Sequence, residues 1–132
     1  MISADTSVVV RHLVGSPPDQ AKRATALLEG EEQVGLPVVV LVESAHVLRT
    51  QYGIDRADVL EALLGLITRE NLEVLGLATR RAIEALAAAR SAPARPIPDA
   101  LILHGARAAG ALPLYTFDRG MARYGIAVAE PG

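Results

Sequence analysis

The stretch LPVVVLVESAHVL, residues 36–48, decides the fold, because it reads two ways. Its valines favour a strand. Pro37 at a first helical position, and the run from Ser44 to Tyr52 up to Gly53, favour a helix. The reading adopted here is a short strand, Gln33 to Leu36, followed by a helix from about Val38. That helix carries Glu43 inside an apolar run. Burying an ionised carboxylate costs several kcal/mol unless it is paired, so the position predicts a partner arginine or a metal. Arg49 is not at helical pairing distance from it.

Outward from this stretch, strands and helices alternate. Met1 to Ala4 is a candidate buried strand ending at Asp5. Thr6 and Ser7 are candidate caps for a helix over Val8 to Val14, and Gly15-Ser16-Pro17-Pro18 breaks it. Asp19 to Leu28 reads as a helix. Asp55 is placed to cap the next, whose stripe Val59, Leu60, Leu63, Leu64, Ile67 is strongly amphipathic. Leu72 to Leu77 reads as a strand, and Thr79 begins a helix with Ile83, Leu86 and Ala87 on one face. Ser91 to Pro98 reads as a loop, and Pro98 and Asp99 start a helix through Ala109, stopped by Gly110. Leu112 to Phe117 is a strand, Gly120 to Arg123 a short helix or turn, and Gly125 to Ala129 a last strand. The alternation predicts one α/β domain over residues 1–132, with helices on both faces of a parallel sheet. Such sheets bind ligands outside the carboxyl ends of their strands.

Composition bounds the function. The chain is 51% hydrophobic with mean hydropathy +0.30, yet no apolar run approaches the ~18 residues of a membrane helix. The surplus must fill a core, a partner interface, or both. MISAD does not open like a signal peptide, and there is no cysteine, so neither disulfides nor thiolate metal ligands enter; a cytoplasmic location is expected. A net charge of −2 argues against a broadly basic nucleic-acid binder but leaves room for a local basic groove. Aromatics at 3% leave few platforms for stacking bases.

Most of the 15 acidic residues sit in polar settings, and four do not. Asp5 and Asp118 would project from carboxyl ends of strands, Asp99 opens a helix on the same rim, and Glu43 lies in the apolar helix. Each also has a structural reading: Asp5 as a cap, Asp99 as a first-turn acid, and Asp118 as the head of an ordinary turn. Gathered on one rim they would repel, at roughly 4 kcal/mol for charges about 4 Å apart. A cluster of that kind needs a divalent cation or retained protons. Oxygen donors without cysteine or an obvious histidine set point to Mg²⁺ or Mn²⁺, a chemistry suited to phosphodiester hydrolysis.

The order MISADTSVVV, VVLVESAHVL, IPDALILHGARAAG, LYTFDRG resembles the PIN-domain ribonucleases, specifically the VapC-type toxins of bacterial toxin–antitoxin pairs. The resemblance spans nearly the whole chain. It implies an α/β/α sandwich around a central parallel sheet of about five short strands, and a Mg²⁺ or Mn²⁺ site of Asp5, Glu43, Asp99 and Asp118 that cleaves RNA. It also implies an antitoxin partner, a homodimer, and supporting hydroxyls at Ser7 and Thr116. Many relatives carry a further acid two residues after the one matching Asp118, where this chain has Gly120. The alternative reading is a non-catalytic PIN-like module that binds RNA or a partner.

Arg11, Arg119 and Arg123 lie near the rim in sequence and are candidate RNA phosphate contacts or ordinary surface charge. His46 lies about 60° round the helix from Glu43, within reach of the pocket rim, while His104 falls about 140° from Asp99. Gly105 and Ala109 form a small-residue pair suited first to core packing. The stripe Val59 to Ile67, with Leu66 beyond it, looks wider than one core face needs, which predicts an apolar groove for a partner helix. A haloacid-dehalogenase-like phosphatase would need an acid where Ser7 stands, and a response-regulator receiver a late lysine, whereas the only lysine is Lys22.

Overall fold

Val38 to Thr50 is one helix, and it starts directly where the strand Val34–Pro37 ends. Its buried positions, Val40, Leu41, Ser44, Ala45 and Leu48, follow helical spacing. Val39, Glu43, His46 and Thr50 recur on the opposite, exposed face. Glu43 therefore faces solvent, and the buried carboxylate expected from the apolar run does not occur. The sequence context is apolar because Val40, Leu41, Ala45 and Leu48 supply the buried face of the same helix.

The computed structural model describes residues 1–132. In chain order the elements are β1 Ile2–Ser3, α1 Thr6–Val14, α2 Pro18–Leu28, β2 Val34–Pro37, α3 Val38–Thr50, α4 Arg56–Ile67, β3 Leu72–Leu75, α5 Thr79–Ser91, α6 Ile97–Ala108, β4 Leu114–Tyr115, a 3-10 helix Arg119–Tyr124, and β5 Val128–Ala129. All strand pairs are parallel, as helical crossovers require. β1 pairs with β2 (Ile2 opposite Val34) and β2 with β3 (Val34 opposite Leu72, Pro37 opposite Leu75). β4 pairs with β5, Leu114 opposite Val128. The five short strands thus form a three-stranded ladder, β1-β2-β3, and a two-stranded ladder, β4-β5. The result is an α/β fold in which helices flank short parallel strands.

Two apolar cores match the two ladders. The larger has 25 buried residues, Ala4 and others drawn from α1 to α6, β2 and β3. The smaller joins Leu103, Met121 and Ile126, with Leu114 and Val128 packed against it. α6 reaches both cores, through Ile97, Ala100 and Leu101 on one side and Leu103 on the other.

Several expectations are corrected. Val59, Leu60, Leu63, Leu64, Leu66 and Ile67 are all buried, because α4 packs against α3, α5 and β3 at once. The predicted partner groove on α4 is therefore filled by the chain itself. Met1, Ile2 and Ser3 are exposed, and only Ala4 of the first segment is buried. The buried face of α5 is Ala82, Ala85, Leu86 and Ala89, turned one residue from the predicted one. Asp5, not Thr6 or Ser7, caps α1, and Asp55 stands before α4 without a side-chain capping bond. Gly105 has nothing within 4 Å of where a Cβ would lie, so it is not a close-packing contact. No helix is long and apolar enough to cross a membrane.

Candidate active site

Asp5 leaves β1 in an extended conformation and turns the chain into α1. Its Oδ1 accepts hydrogen bonds from the Ser7 hydroxyl at 2.6 Å, the Ser7 amide at 3.0 Å and the Val8 amide at 3.4 Å. The Ser7 hydroxyl, chiefly, holds the carboxyl below its ordinary range against the opposing effect of burial. The two amides and the charge of Arg11 add to it. Oδ1 is thus committed to the cap, while no side chain or amide of the protein bonds Oδ2.

Glu43 comes to the same place from α3. Its Oε1 accepts a hydrogen bond from the Thr6 hydroxyl, so Asp5 and Glu43 flank the first residue of α1. Thr6, which the sequence offers only as a possible cap, thus meets one of the candidate site acids. Its position at a helix start gave no sign of the long-range partner.

Asp99 and Asp118 form the second pair. Asp99 lies half-buried in the first turn of α6. Burial first, and the charge of Asp118 second, raise its carboxyl above the usual range. Asp118 follows β4 and caps the 3-10 helix, its Oδ1 accepting from the Gly120 amide at 2.8 Å. The Asp118 amide donates to Thr116 Oγ1 at 2.9 Å. Ser7 and Thr116 therefore each contact an acid of the set, Ser7 through Asp5 and Thr116 through the Asp118 backbone.

Glu43 reaches the start of α1, next to Asp5, through Thr6, and Asp118 acts on Asp99 by its charge. No group of three or more acidic, histidine or cysteine side chains comes together in a metal-holding cluster. The expectation that the acids raise one another's pKa holds for Asp99 beside Asp118, while Asp5 moves the other way. Oxygen-only donors, with two like charges side by side at Asp99 and Asp118, fit a hard divalent cation in donor chemistry. A complete four-carboxylate cage is not formed.

The three candidate arginines differ. Arg11 turns back on its own region, bonded to Gln20 and to the Ser7 carbonyl at 3.3 Å. Arg123 donates to the Gly120 carbonyl at 3.0 Å, and its guanidinium also lies over the Tyr124 ring. A Cβ at position 120 would meet Arg123 Nη2 at 2.8 Å and Asp118 Oδ1 at 3.0 Å, so Gly120 lets that guanidinium approach the Asp118 turn. Arg119 is exposed and makes no side-chain bond. Beside Glu43 a cleft of about 790 Å³ opens between α3, the start of α4 and the Pro96–Pro98 segment. His46, Arg49 and Arg56 line it with Glu43, whereas Asp5, Asp99 and Asp118 do not.

An α/β fold with short parallel strands, and acids following β1 and β4 and opening α6, defines a class of domain found among nuclease-type hydrolases. The chain matches the PIN domain family over residues 2–127 and belongs to it. No curated protein matches the chain.

Proposed function

We propose that this chain is a Mg²⁺- or Mn²⁺-dependent endoribonuclease, the VapC-type toxin of a type II toxin–antitoxin pair, acting in the cytoplasm. The observation that carries the reading is the Asp99–Asp118 pair. A half-buried carboxylate whose ionised form is disfavoured by burial and by a neighbouring acid gains most from a bound cation. Asp99 and Asp118 would hold the metal, with Asp5 Oδ2 and Glu43 completing the set. When bound, the cation supplies Lewis-acid stabilisation of the phosphodiester oxygens and a more acidic water.

The chain's own residues prepare the site. Ser7 and the amides of α1 fix Asp5 in its ionised form and leave one oxygen outward. Thr6 fixes the rotamer of Glu43, which stands solvent-facing where it can accept a proton from an attacking water. The Gly120 amide and Thr116 set the direction of Asp118.

A cognate antitoxin and a second copy of the chain are the partners this reading implies. The open apolar surface available to either lies between α3 and α6, where Val39 and Ile102 are 65% and 51% exposed. That no three of the acids gather in one metal-holding cluster favours one alternative, a PIN-like module that binds RNA or a partner without cleaving. Calorimetric titration with Mn²⁺ discriminates between them. The nuclease should bind Mn²⁺ and lose affinity in Asp99→Asn and Asp118→Asn, whereas a binding module shows no carboxylate-dependent uptake. Sequencing RNA 5′ ends after brief induction of the chain identifies the substrate.

A further inference from the structure

The cleft beside Glu43 holds two guanidiniums that form no salt bridge, although Glu43 and Asp55 line it with them. Arg49 and Arg56 both line it. The protein's three salt bridges, Arg23–Asp19, Arg81–Glu84 and Arg90–Glu61, all lie elsewhere, so neither the cleft's Asp55 nor Glu43 pairs with them. Arg56 is anchored from behind, donating to the carbonyls of Ala92 and Arg95. Burial, and then the charge of Arg49, disfavour its protonated form, as expected of neighbouring like charges that lack an anion.

The positive charge continues beyond the cleft. Arg95, whose carbonyl receives Arg56, lays its own guanidinium 4.3 Å from the centre of the Tyr124 ring, where Arg123 also lies, at 5.6 Å. The Nε of Arg95 is buried without a hydrogen-bond partner. A succession of arginine contacts, Arg56 to the Arg95 carbonyl and Arg95 and Arg123 to the Tyr124 ring, thus leads from the Glu43 cleft, where Glu43 and Asp55 are the acids, to the turn that carries Asp118.

We propose that this track, Arg49 and Arg56 in the cleft and Arg95 at Tyr124, is a strand-binding subsite that takes the phosphates of single-stranded RNA beside the acids. A guanidinium fork matches a phosphate in shape and charge. Arg49 lies six residues beyond Glu43, about 9 Å along α3, so it contacts a phosphate other than the reacting one. The occupant must bring negative charge to Arg49 and Arg56 while presenting a phosphodiester to Glu43. A single RNA strand does both, and an acidic peptide only the first. The subsite rests on the RNA-cleaving reading.

The test separates the two. A fluorescent single-stranded 2′-O-methyl oligoribonucleotide, which lacks the free 2′-hydroxyl of RNA, is titrated with the metal-free chain in chelator, so binding is read without cleavage. Arg49 is exposed and makes no side-chain bond, so Arg49→Ala and Arg49→Glu fold. Arg90→Ala, at the Glu61 surface pair, is the control. Arg49→Ala should weaken binding about tenfold, the size of one charge-assisted contact. It should also reduce the dependence of log affinity on log salt by about 0.7, the share of one single-strand phosphate. Arg49→Glu should weaken binding further, and Arg56→Lys should lose affinity while keeping charge. Arg90→Ala should bind as wild type. Wild-type affinity and salt dependence in both Arg49 variants overturn the subsite, as does a wild-type chain that does not bind the probe. Displacement of the probe by an equally charged glutamate peptide at matching concentrations assigns the track to acidic peptides and also overturns it. If the chain cleaves no RNA with Mn²⁺ yet its binding depends on Arg49, the cleavage reading fails and the subsite stands.

Discussion

Glu43 shows how much a single residue discloses. Its place in an apolar run predicts that something must compensate it. The structure meets the demand by rotation, since the residue occupies the exposed face of α3 and bonds Thr6. The acid itself is legible in the sequence, but its partner is not, because Thr6 lies 37 residues away and meets it only after β1 and β2 pair. Ser44, the next residue, is the one truly buried polar group of that stretch, with its hydroxyl unpartnered. Ser44→Ala should therefore raise stability by about 1 kcal/mol, measured by urea denaturation, since a buried unsatisfied hydroxyl costs about 1–3 kcal/mol. Asp99→Asn removes a carboxylate disfavoured by burial and by Asp118. Its metal-free melting temperature should equal or slightly exceed wild type. A large fall would show that Asp99 is a structural acid.

At the scale of elements, β1 and α1 depend on Asp5. Asparagine caps helices about as well as aspartate, whereas alanine does not. Asp5→Asn should keep the fold, with a small loss because Asp5 is held in its ionised form, and Asp5→Ala should cost about 1 kcal/mol more in denaturation. The cap and the proposed ligand roles coexist, because the cap uses Oδ1 alone. α4 teaches the limit of periodicity. Its stripe announces a helix correctly, but the width of the stripe does not reveal whether neighbours or a partner cover it. α3 and α5 close on it from two sides, and that is set by loops and crossovers rather than by the helix itself. Likewise the short strands β4 and β5 are read from their apolar residues, but periodicity within a strand does not reveal which other strands it pairs with, and β4-β5 forms a ladder apart from β1-β2-β3.

Across the whole molecule, acid sensitivity should come from histidine. Burial lowers the pKa of His12, opposed by Glu29 and aided by Arg69, and burial also lowers that of His104. A histidine harder to protonate when folded binds fewer protons than in the unfolded chain, so stability falls as pH drops below the unfolded value of 6.5. The melting temperature should decline from about pH 7.5 to about pH 5.5, and less so in His12→Gln. Asp5 and Asp99 shift in opposite senses, so their window near 3.8 carries no single sign. Near neutral pH, millimolar Mg²⁺ or Mn²⁺ should raise the melting temperature by ligand linkage. Membership of the PIN family was legible from four short motifs, whereas the Arg49–Arg56 cleft was not, because its walls come from three separate segments. The most direct measurement is the RNA cleavage rate per folded molecule, with Mn²⁺ and with chelator, for wild type, Asp99→Asn and Glu43→Gln. Cleavage should require the metal and fall by about two orders of magnitude or more in each variant, the size of one electrostatic catalytic group. Wild-type rates in either folded variant, or no cleavage of any RNA by the metal-loaded wild type, would contradict a carboxylate metal site in this chain.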